Sequence, residues 1–184
     1  ADPAKFAGGS GTQADPYRIA TEAQLRYLAE SINADVDWCG AYFLQTADIA
    51  LTGEWLPIGW ALNGEVNGKK TAIAAYPFRG NYDGGDHTIS GLRIGSEDAP
   101  TDQMASGRFG LTAGELSTND LPTDQRMVTL KNIHLEDIGI YVSTRYETFT
   151  GGLVGSAQNG IYIDNCSVTG VMDVTTSESF ARAG

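Results

Sequence analysis

The two histidines are the residues of this sequence best suited to acid–base chemistry near neutral pH. His87 follows the turn-like residues 83–86, where we predict a structural role in which its side chain bonds nearby backbone. His134 alternates with Ile133 and Leu135, so we predict that it points outward. Neither histidine belongs to a His-Glu-x-x-His motif, and neither has nearby partners of the kind that a Ser-His-Asp triad requires.

Two acidic pairs are further candidates for chemistry. Glu136 and Asp137 are adjacent, and adjacent strand residues point to opposite faces, which argues against the paired carboxylates of a glycoside hydrolase. Asp83 and Asp86 carry oxygens that suit calcium, but a calcium site takes about six or more oxygen ligands, and the intervening glycines offer only carbonyls. We therefore predict no catalytic, metal-binding or cofactor-binding residue and no cofactor.

The two cysteines, Cys39 and Cys166, are far apart in sequence and lack the clustered spacing of a zinc site. Cys166 lies in the apolar run of residues 161–168, where we expect a small buried side chain. A long-range disulfide between Cys39 and Cys166 is the alternative, and the sequence does not decide between the two.

Aromatic residues concentrate in two places. The first set, in the N-terminal half, comprises Trp38, Trp55, Trp60, Tyr76 and Tyr82. The second set flanks the polar residues 143–145 and comprises Tyr141, Tyr146 and Phe149. Exposed rings can stack on sugars, whereas most aromatic rings fill a core or cover its end. We predict core or cap roles for the first set, and a binding surface is the alternative for both.

The composition is acidic and rich in glycine. Asp and Glu number 23 against 12 Lys and Arg, which gives a formal net charge of −11. An acidic surface repels phosphate backbones, so a nucleic-acid partner is not expected. No apolar run approaches about 20 residues, so no membrane insertion is expected. The 23 glycines favour tight turns between short strands.

One helix is predicted over Thr21–Asn33, after a short strand at residues 17–19. Thr21 is the predicted N-cap, with Gln24 as its capping-box partner. The apolar face consists of Leu25, Leu28, Ala29 and Ile32. A lone amphipathic helix is only marginally stable in water, so this face must cover another apolar surface.

Short apolar stretches recur after Phe78, with glycine or asparagine at the bends. Residues 89–94 resemble residues 130–135 and 163–168, and residues 109–114 resemble residues 152–157. Stacked coils of a solenoid bring equivalent residues together. The predicted inward columns are Ile89, Leu130 and Ile163; Leu92, Ile133 and Cys166; and Ile94, Leu135 and Val168. Residues 96–106 and 115–125 are predicted to be loops that leave the coils.

These elements predict an all-β fold, a right-handed parallel β-helix (solenoid) with an N-terminal capping α-helix. Residues 1–184 would form a single domain, in which residues 1–60 are the cap and first coil. Residues 61–77 would be a hairpin-like insertion with a turn at Asn67-Gly68, and residues 78–184 the repeating coils. No C-terminal cap is apparent, so we expect either a fragment of a longer protein or an end covered by another segment.

Several blocks of the sequence, taken in order, resemble bacterial extracellular β-helix proteins. The resemblance runs through residues 6–19, the predicted helix, and residues 42–49, 55–59 and 78–89. Residues 152–155, Gly-Leu-Val-Gly, resemble the GLUG motif of surface adhesins and of the non-catalytic N-terminal regions of immunoglobulin A-cleaving metallopeptidases. Residues 62–75 and 115–125 depart from this pattern, and a protein-specific function is expected there.

The resemblance implies a non-catalytic, adhesin-like or scaffold module of a bacterial cell-surface or secreted protein. Its partner would be a host protein, a glycan, or a second copy bound through the open β-helix end. The alternative is an accessory part of an extracellular enzyme, either a carbohydrate-active β-helix or a surface metallopeptidase. Three or more carboxylates converging in an outer groove would favour the enzyme, and scattered acids would favour the scaffold.

Overall fold

The computed structural model describes residues 2–66, 69–114, 127–178 and 180–184, without the side chains of residues 61–66 and 69–74. The predicted turn at Asn67-Gly68 and the predicted loop at residues 115–125 lie outside the described residues.

The described residues form many short strands and one α-helix, α1 (Glu22–Asn33), with a 3₁₀ turn at Pro3–Lys5. The strands are β1 (Tyr17–Ile19), β2 (Tyr42–Gln45), β3 (Ile49–Ala50), β4 (Trp60–Val66), β5 (Lys69–Tyr76), β6 (Asn81–Asp83), β7 (Thr88–Ser90), β8 (Arg93–Ile94), β9 (Ala105–Ser106), β10 (Phe109–Ala113), β11 (Val128–Lys131), β12 (His134–Thr144), β13 (Thr148–Thr150), β14 (Val154–Gln158), β15 (Ile161–Asp164), β16 (Ser167–Thr176) and β17 (Ala181–Ala183).

The helix α1 confirms the sequence prediction in its position, its cap and its buried face. The Thr21 hydroxyl accepts a hydrogen bond from the Gln24 backbone N–H at 3.3 Å, and the Gln24 side chain accepts from the Ala20 N–H at 2.8 Å. The predicted apolar face is buried against the core. Arg26 holds the helix to the next coil, because its guanidinium donates to the backbone carbonyls of Thr52 and Glu54. The helix therefore covers the N-terminal end of the core.

Most strands pair in parallel with strands from other parts of the chain. The largest sheets have the orders β1-β2-β6-β11-β15 and β3-β7-β12-β16, with β8 also beside β12. Two smaller parallel sheets are β9-β13-β17 and β10-β14. Parallel pairing requires a crossover between partners, so the chain returns to each sheet after visiting the others. The fold is mostly β with parallel sheets.

The observed register confirms part of the predicted stacking. Leu130 lies beside Ile163, and Leu135 lies beside Val168. Ile89, however, lies beside Leu135 and not beside Leu130, so this predicted column is wrong. The cause is that the two residues belong to different sheets: Ile89 is on β7, which pairs with β12, whereas Leu130 is on β11, which pairs with β6.

The other two predicted columns are wrong at Leu92 and Ile94. Ile94 on β8 pairs with Ile140, which places the preceding Leu92 opposite Ile138 and not opposite Ile133. The second repeated element is also displaced, because Phe109 pairs with Val154 and not with the predicted Gly152. Similar sequence stretches therefore recur, but they do not always pair with one another.

A bulge in β12 corrects the prediction that Glu136 and Asp137 face opposite sides. The register with β16 shifts between Leu135 and Ile138, and Asp137 has a positive φ of 52°. Both acids are exposed as a result. Strict alternation applies only to an unbroken strand, and this strand is broken at those two residues.

The backbone of the segment predicted as an insertion, residues 61–77, forms an antiparallel hairpin. Strands β4 and β5 are antiparallel, and Trp60 at the start of β4 is paired with Tyr76 at the end of β5. Just outside the hairpin, Ile58 and Phe78 each bridge to β10. The predicted loop at residues 96–106 is partly wrong, because its last two residues form β9.

The core changes character along the molecule. At the end covered by α1, four aromatic rings pack together with centroids 5.3 to 5.9 Å apart: Phe6, Tyr17, Trp38 and Phe43. Aliphatic residues of β7, β11 and β12 fill the middle and are almost fully buried. In the last coil, Ile163 is 48% exposed and Val171 is 54% exposed. The described strands β15 and β16 thus leave one end of the core open.

Candidate functional site

A groove of about 540 Å³ lies on the outer face of the sheet β1-β2-β6-β11-β15. Strand alternation explains which residues line it. Phe43, Tyr82 and Leu130 turn inward and are at most 1% exposed, so their neighbours in the same strands turn outward. The groove floor is therefore built from one parity of residues across four strands, with Gln13 and Pro16 at one side.

In one row of the floor, a tyrosine stands at each end and two polar residues lie between them. The pairing register sets Tyr42, Asn81, Thr129 and Tyr162 next to one another on β2, β6, β11 and β15. Three strand spacings separate Tyr42 from Tyr162, which is about 14 Å. Tyr162 is 53% exposed. The row is a polar strip with an aromatic ring at each end.

The second row carries the charges of the groove. Leu44, Asp83, Lys131 and Asp164 are neighbours across the same four strands. The Lys131 Nζ lies 3.2 Å from an Asp83 carboxylate oxygen, and the Asn132 amide donates to Asp83 at 2.9 Å. Asp83 and Lys131 therefore neutralise one another at the floor of the groove.

Asp83 is held as a carboxylate by its surroundings. Burial alone would raise its pKa, but hydrogen bonds from the Asn132 amide, the Gly85 backbone N–H and Lys131 outweigh that effect and lower its pKa. A carboxylate with three donors is poorly suited to act as a general acid. It is better suited to accept a further hydrogen bond from a ligand.

Asn81 lies near the centre of the groove floor. The residue is 6% exposed and lines the groove. No hydrogen bond joins its side-chain amide to another described residue, and the amide is not one of the fully buried polar groups that lack a partner. Solvent in the groove can therefore reach the amide. The Asn81 amide therefore offers donors and an acceptor to whatever occupies the groove.

The prediction that the histidines lack triad-like partners is wrong for His134. Its Nε2 lies 3.0 Å from an Asp86 carboxylate oxygen, and its Nδ1 lies 2.8 Å from the Ser167 hydroxyl. The three residues are distant in sequence and meet because β7, β12 and β16 are neighbours. Sequence proximity therefore gave no signal for this contact. His134 lies on the outer face, as predicted.

His134 belongs to a row of hydrogen-bonded polar side chains at the bends between two sheets. The Asn165 amide donates to both Asp86 at 2.8 Å and Asn132 at 2.9 Å. Asn132 and Asn165 have positive φ angles of 53° and 49°, which confirms the predicted left-handed bends. The side chains satisfy one another, and Asp86 is 66% exposed. The arrangement stabilises stacked bends, and its donors and acceptors are already engaged.

His87 also differs from its predicted bonding. Its Nδ1 lies 3.3 Å from the Asp48 carboxylate, so it contacts a side chain of the previous coil and not nearby backbone. The Thr88 backbone N–H donates to the same carboxylate at 2.9 Å. That hydrogen bond is the main reason why the pKa of Asp48 is lowered; a small loss of hydration opposes it, and His87 adds to it. His87 therefore has a structural role between coils.

The cysteines are not joined in a disulfide. Cys39 is exposed, and Cys166 is partly buried in the last coil. Burial is the main reason why the pKa of the Cys166 thiol is raised. The prediction that Cys166 packs as a small apolar residue holds in part, because it contacts the core from the open end.

The aromatic residues of the N-terminal half mostly have core roles, as predicted. Trp38, Trp55 and Tyr82 are at most 7% exposed. Tyr42 and Tyr162, which face the groove, were not predicted as functional residues. Strand alternation could have identified them as outward-facing, because each tyrosine is next to an inward-facing apolar residue in its strand.

In the second predicted aromatic set, two of the rings lie against arginine side chains of the same chain. The Arg145 guanidinium lies 4.8 Å from the centroid of the Tyr146 ring, and the Arg182 guanidinium lies 5.2 Å from that of Phe149. Both rings therefore carry an arginine of the protein itself.

Two features are absent from the part of the chain that the structure describes. No three His, Cys, Asp or Glu side chains there are grouped closely enough to hold a metal ion. In the same residues, no helix is both long and apolar enough to cross a membrane.

Comparisons with known proteins identify no family for the chain. No family model matches the sequence, and no curated protein matches it. Among solved structures, the chain is similar to a crystal structure from Bacteroides ovatus described as a "putative immunoglobulin A1 protease". The identity is 17% and the TM-score 0.43, with 97% of this chain covered. The chain spans 64% of the length of that structure.

Proposed function

We propose that residues 1–184 form one non-catalytic, right-handed β-helix module of a bacterial cell-surface or secreted protein, and that the module binds a partner in the groove of the β1-β2-β6-β11-β15 sheet. The carrying observation is the groove floor, where the Asn81 amide, which forms no hydrogen bond to another described residue, and the Thr129 hydroxyl lie between two outward tyrosines.

The parallel sheets support the β-helix part of this proposal. Strands from successive passes of the chain lie side by side in two large sheets. Stacking of passes aligns equivalent residues, as for Leu130 with Ile163. The right hand is the usual chirality of parallel crossovers. The cap of α1 and the GLUG-like residues 152–155 belong to the same proposal.

The acid groups favour binding over carbohydrate cleavage in the groove. Glycoside hydrolysis uses two carboxyl groups facing one sugar bond. Among the described residues that line the groove, Asp83 is the one carboxylate, and it is engaged by Lys131 and Asn132. The alternative, an accessory part of an extracellular enzyme, would place the chemistry elsewhere in a parent protein.

The groove can be tested by filling it. Thr129→Trp puts a large side chain between Asn81 and Tyr162, and Thr175→Trp puts the same side chain on an exposed position of another sheet. Labelled protein is applied to arrays of glycans and host proteins. We expect partners of the unchanged chain to lose binding to Thr129→Trp and to keep binding to Thr175→Trp. Absence of any partner, or equal binding by both variants, would contradict the proposal.

A further inference from the structure

We propose that the groove takes a neutral oligosaccharide of about three sugar units, laid across the strands from Tyr42 to Tyr162. This inference rests on the proposed binding function and adds the chemical class of the ligand. It follows from the length of the groove floor, from its unpaired amide and from its charges.

The length of the aromatic-to-aromatic row fits a short glycan. Tyr42 and Tyr162 stand three strand spacings apart, about 14 Å. A pyranose repeat in an extended glycan is close to one strand spacing, so each sugar can sit above one strand. The apolar face of a pyranose packs on an aromatic ring, and a tyrosine at each end holds the terminal sugars.

The centre of the row provides hydrogen bonds of the kind that sugar hydroxyls need. A hydroxyl group both donates and accepts, and the Asn81 amide presents two donors and an acceptor at one place. Asn81 is 6% exposed, so its amide is reached from the groove and from little else. Thr129, its neighbour on β11, adds a hydroxyl to the same row. A bound hydroxyl would form hydrogen bonds with the amide in place of solvent.

The charges of the groove select against acidic sugars. Asp83 and Lys131 pair with one another, and Asp164 adds a further negative charge to the same row. The whole chain carries a net charge of −11. A uronic or sialic acid would meet this field without an unpaired cation among the described lining residues. Neutral hydroxyls can instead accept from Lys131 and donate to Asp83.

The test measures binding of defined trisaccharides to the whole chain by calorimetry and by saturation-transfer NMR. The neutral probes are cellotriose, laminaritriose, maltotriose and chitotriose, and the acidic probes are trigalacturonic acid and sialyllactose. We expect at least one neutral probe to bind and to contact both Tyr42 and Tyr162. Tyr162→Ala should weaken that binding about tenfold, and Tyr141→Ala, on another sheet, should leave it within about twofold.

Asn81→Asp tests the amide separately. It keeps the shape of the side chain but removes two donors, so we expect about tenfold weaker binding with the fold preserved by circular dichroism. Preference for an acidic probe, no binding of any neutral probe, or no effect of Tyr162→Ala would overturn the inference. If a protein partner binds and Thr129→Trp blocks it, the sugar class is wrong while the binding function stands. If nothing binds in the groove, both are wrong.

Discussion

The middle strands of the two large parallel sheets and their end strands β15 and β16 carry similar residues in very different surroundings. Leu130 on β11 is fully buried, whereas Ile163, its neighbour on β15, is 48% exposed. Leu135 on β12 is fully buried, and Val168 beside it on β16 is 39% exposed. The inward faces of β15 and β16 have a neighbouring coil on one side among the described residues.

This difference shows that burial in a stacked fold comes from neighbours on both sides and not from the residue pattern alone. The apolar residues of the last coil have the same periodic placement as those of the middle coils. The other end is closed, because α1 and its aromatic neighbours cover the first coil. Substitutions at matched positions can therefore measure what the covering coil contributes.

The largest effect is expected for Leu130→Ala in the middle of the core. The change removes a fully buried side chain and leaves a cavity between β6 and β15, which costs about 2–5 kcal/mol of unfolding free energy. Urea denaturation followed by circular dichroism measures the loss. A cost below about 1 kcal/mol would mean that β11 does not sit inside a packed core.

A smaller loss is expected for Ser31→Ala under the N-terminal cap. The Ser31 hydroxyl accepts a hydrogen bond from the Trp38 indole N–H at 2.8 Å and donates to the Leu28 carbonyl at 3.0 Å, and all three residues are buried. The alanine leaves the indole N–H unpaired, at a cost of about 1–3 kcal/mol of unfolding free energy. Combining it with Trp38→Phe removes that orphaned donor. If Ser31→Ala costs as much in the Trp38→Phe background as in the unchanged chain, the hydrogen bond is not the cause.

Asp83 gives a pH-dependent prediction for the middle coils. Its folded pKa is lowered, because hydrogen bonds from Asn132, Gly85 and Lys131 outweigh the effect of burial. A lowered folded pKa adds stability above the unfolded pKa of about 3.9, and this contribution is lost as the pH falls through the folded value. Asp83→Asn should therefore lower the urea midpoint at pH 7 and should do so less at acid pH. A difference that stays constant with pH would contradict this assignment.

The smallest effect is expected for Ile163→Ala in the last coil. The side chain is already half exposed, so its loss should cost less than about 1 kcal/mol, well below the matched change at Leu130. The same urea titration gives both values side by side. A cost equal to that of Leu130→Ala would show that another surface covers this coil in solution.

Local features of the fold were predictable from the sequence, and long-range alignment was not. The α1 boundaries followed from the Thr21 cap and from apolar spacing, both of which act within a few residues. The alignment of Ile89 was predicted wrongly, because β7 pairs with β12 in one sheet while Leu130 on β11 pairs with β6 in another. Similar strand patterns do not tell which sheet a strand joins.

The candidate site was harder to predict for the same reason. Tyr42, Asn81, Thr129 and Tyr162 lie on four strands that are unevenly spaced in sequence. The parity of each strand indicated that these residues face outward, but only the register puts them in one row. The contact of His134 with Asp86 and Ser167 was likewise set by stacking. In this fold, the local pattern determines which way a side chain faces, and the sheet and register that each strand adopts determine its neighbours.

The antiparallel hairpin of β4 and β5 has a consequence for how such a chain can diversify. It leaves the stack beside Ile58 and returns beside Phe78, and Trp60 and Tyr76 are paired at its base. Because the two ends of the hairpin are already adjacent, a longer or different connection between them adds little to the entropic cost of loop closure. We therefore expect that foreign sequence can be inserted at this position while the neighbouring strands keep their register.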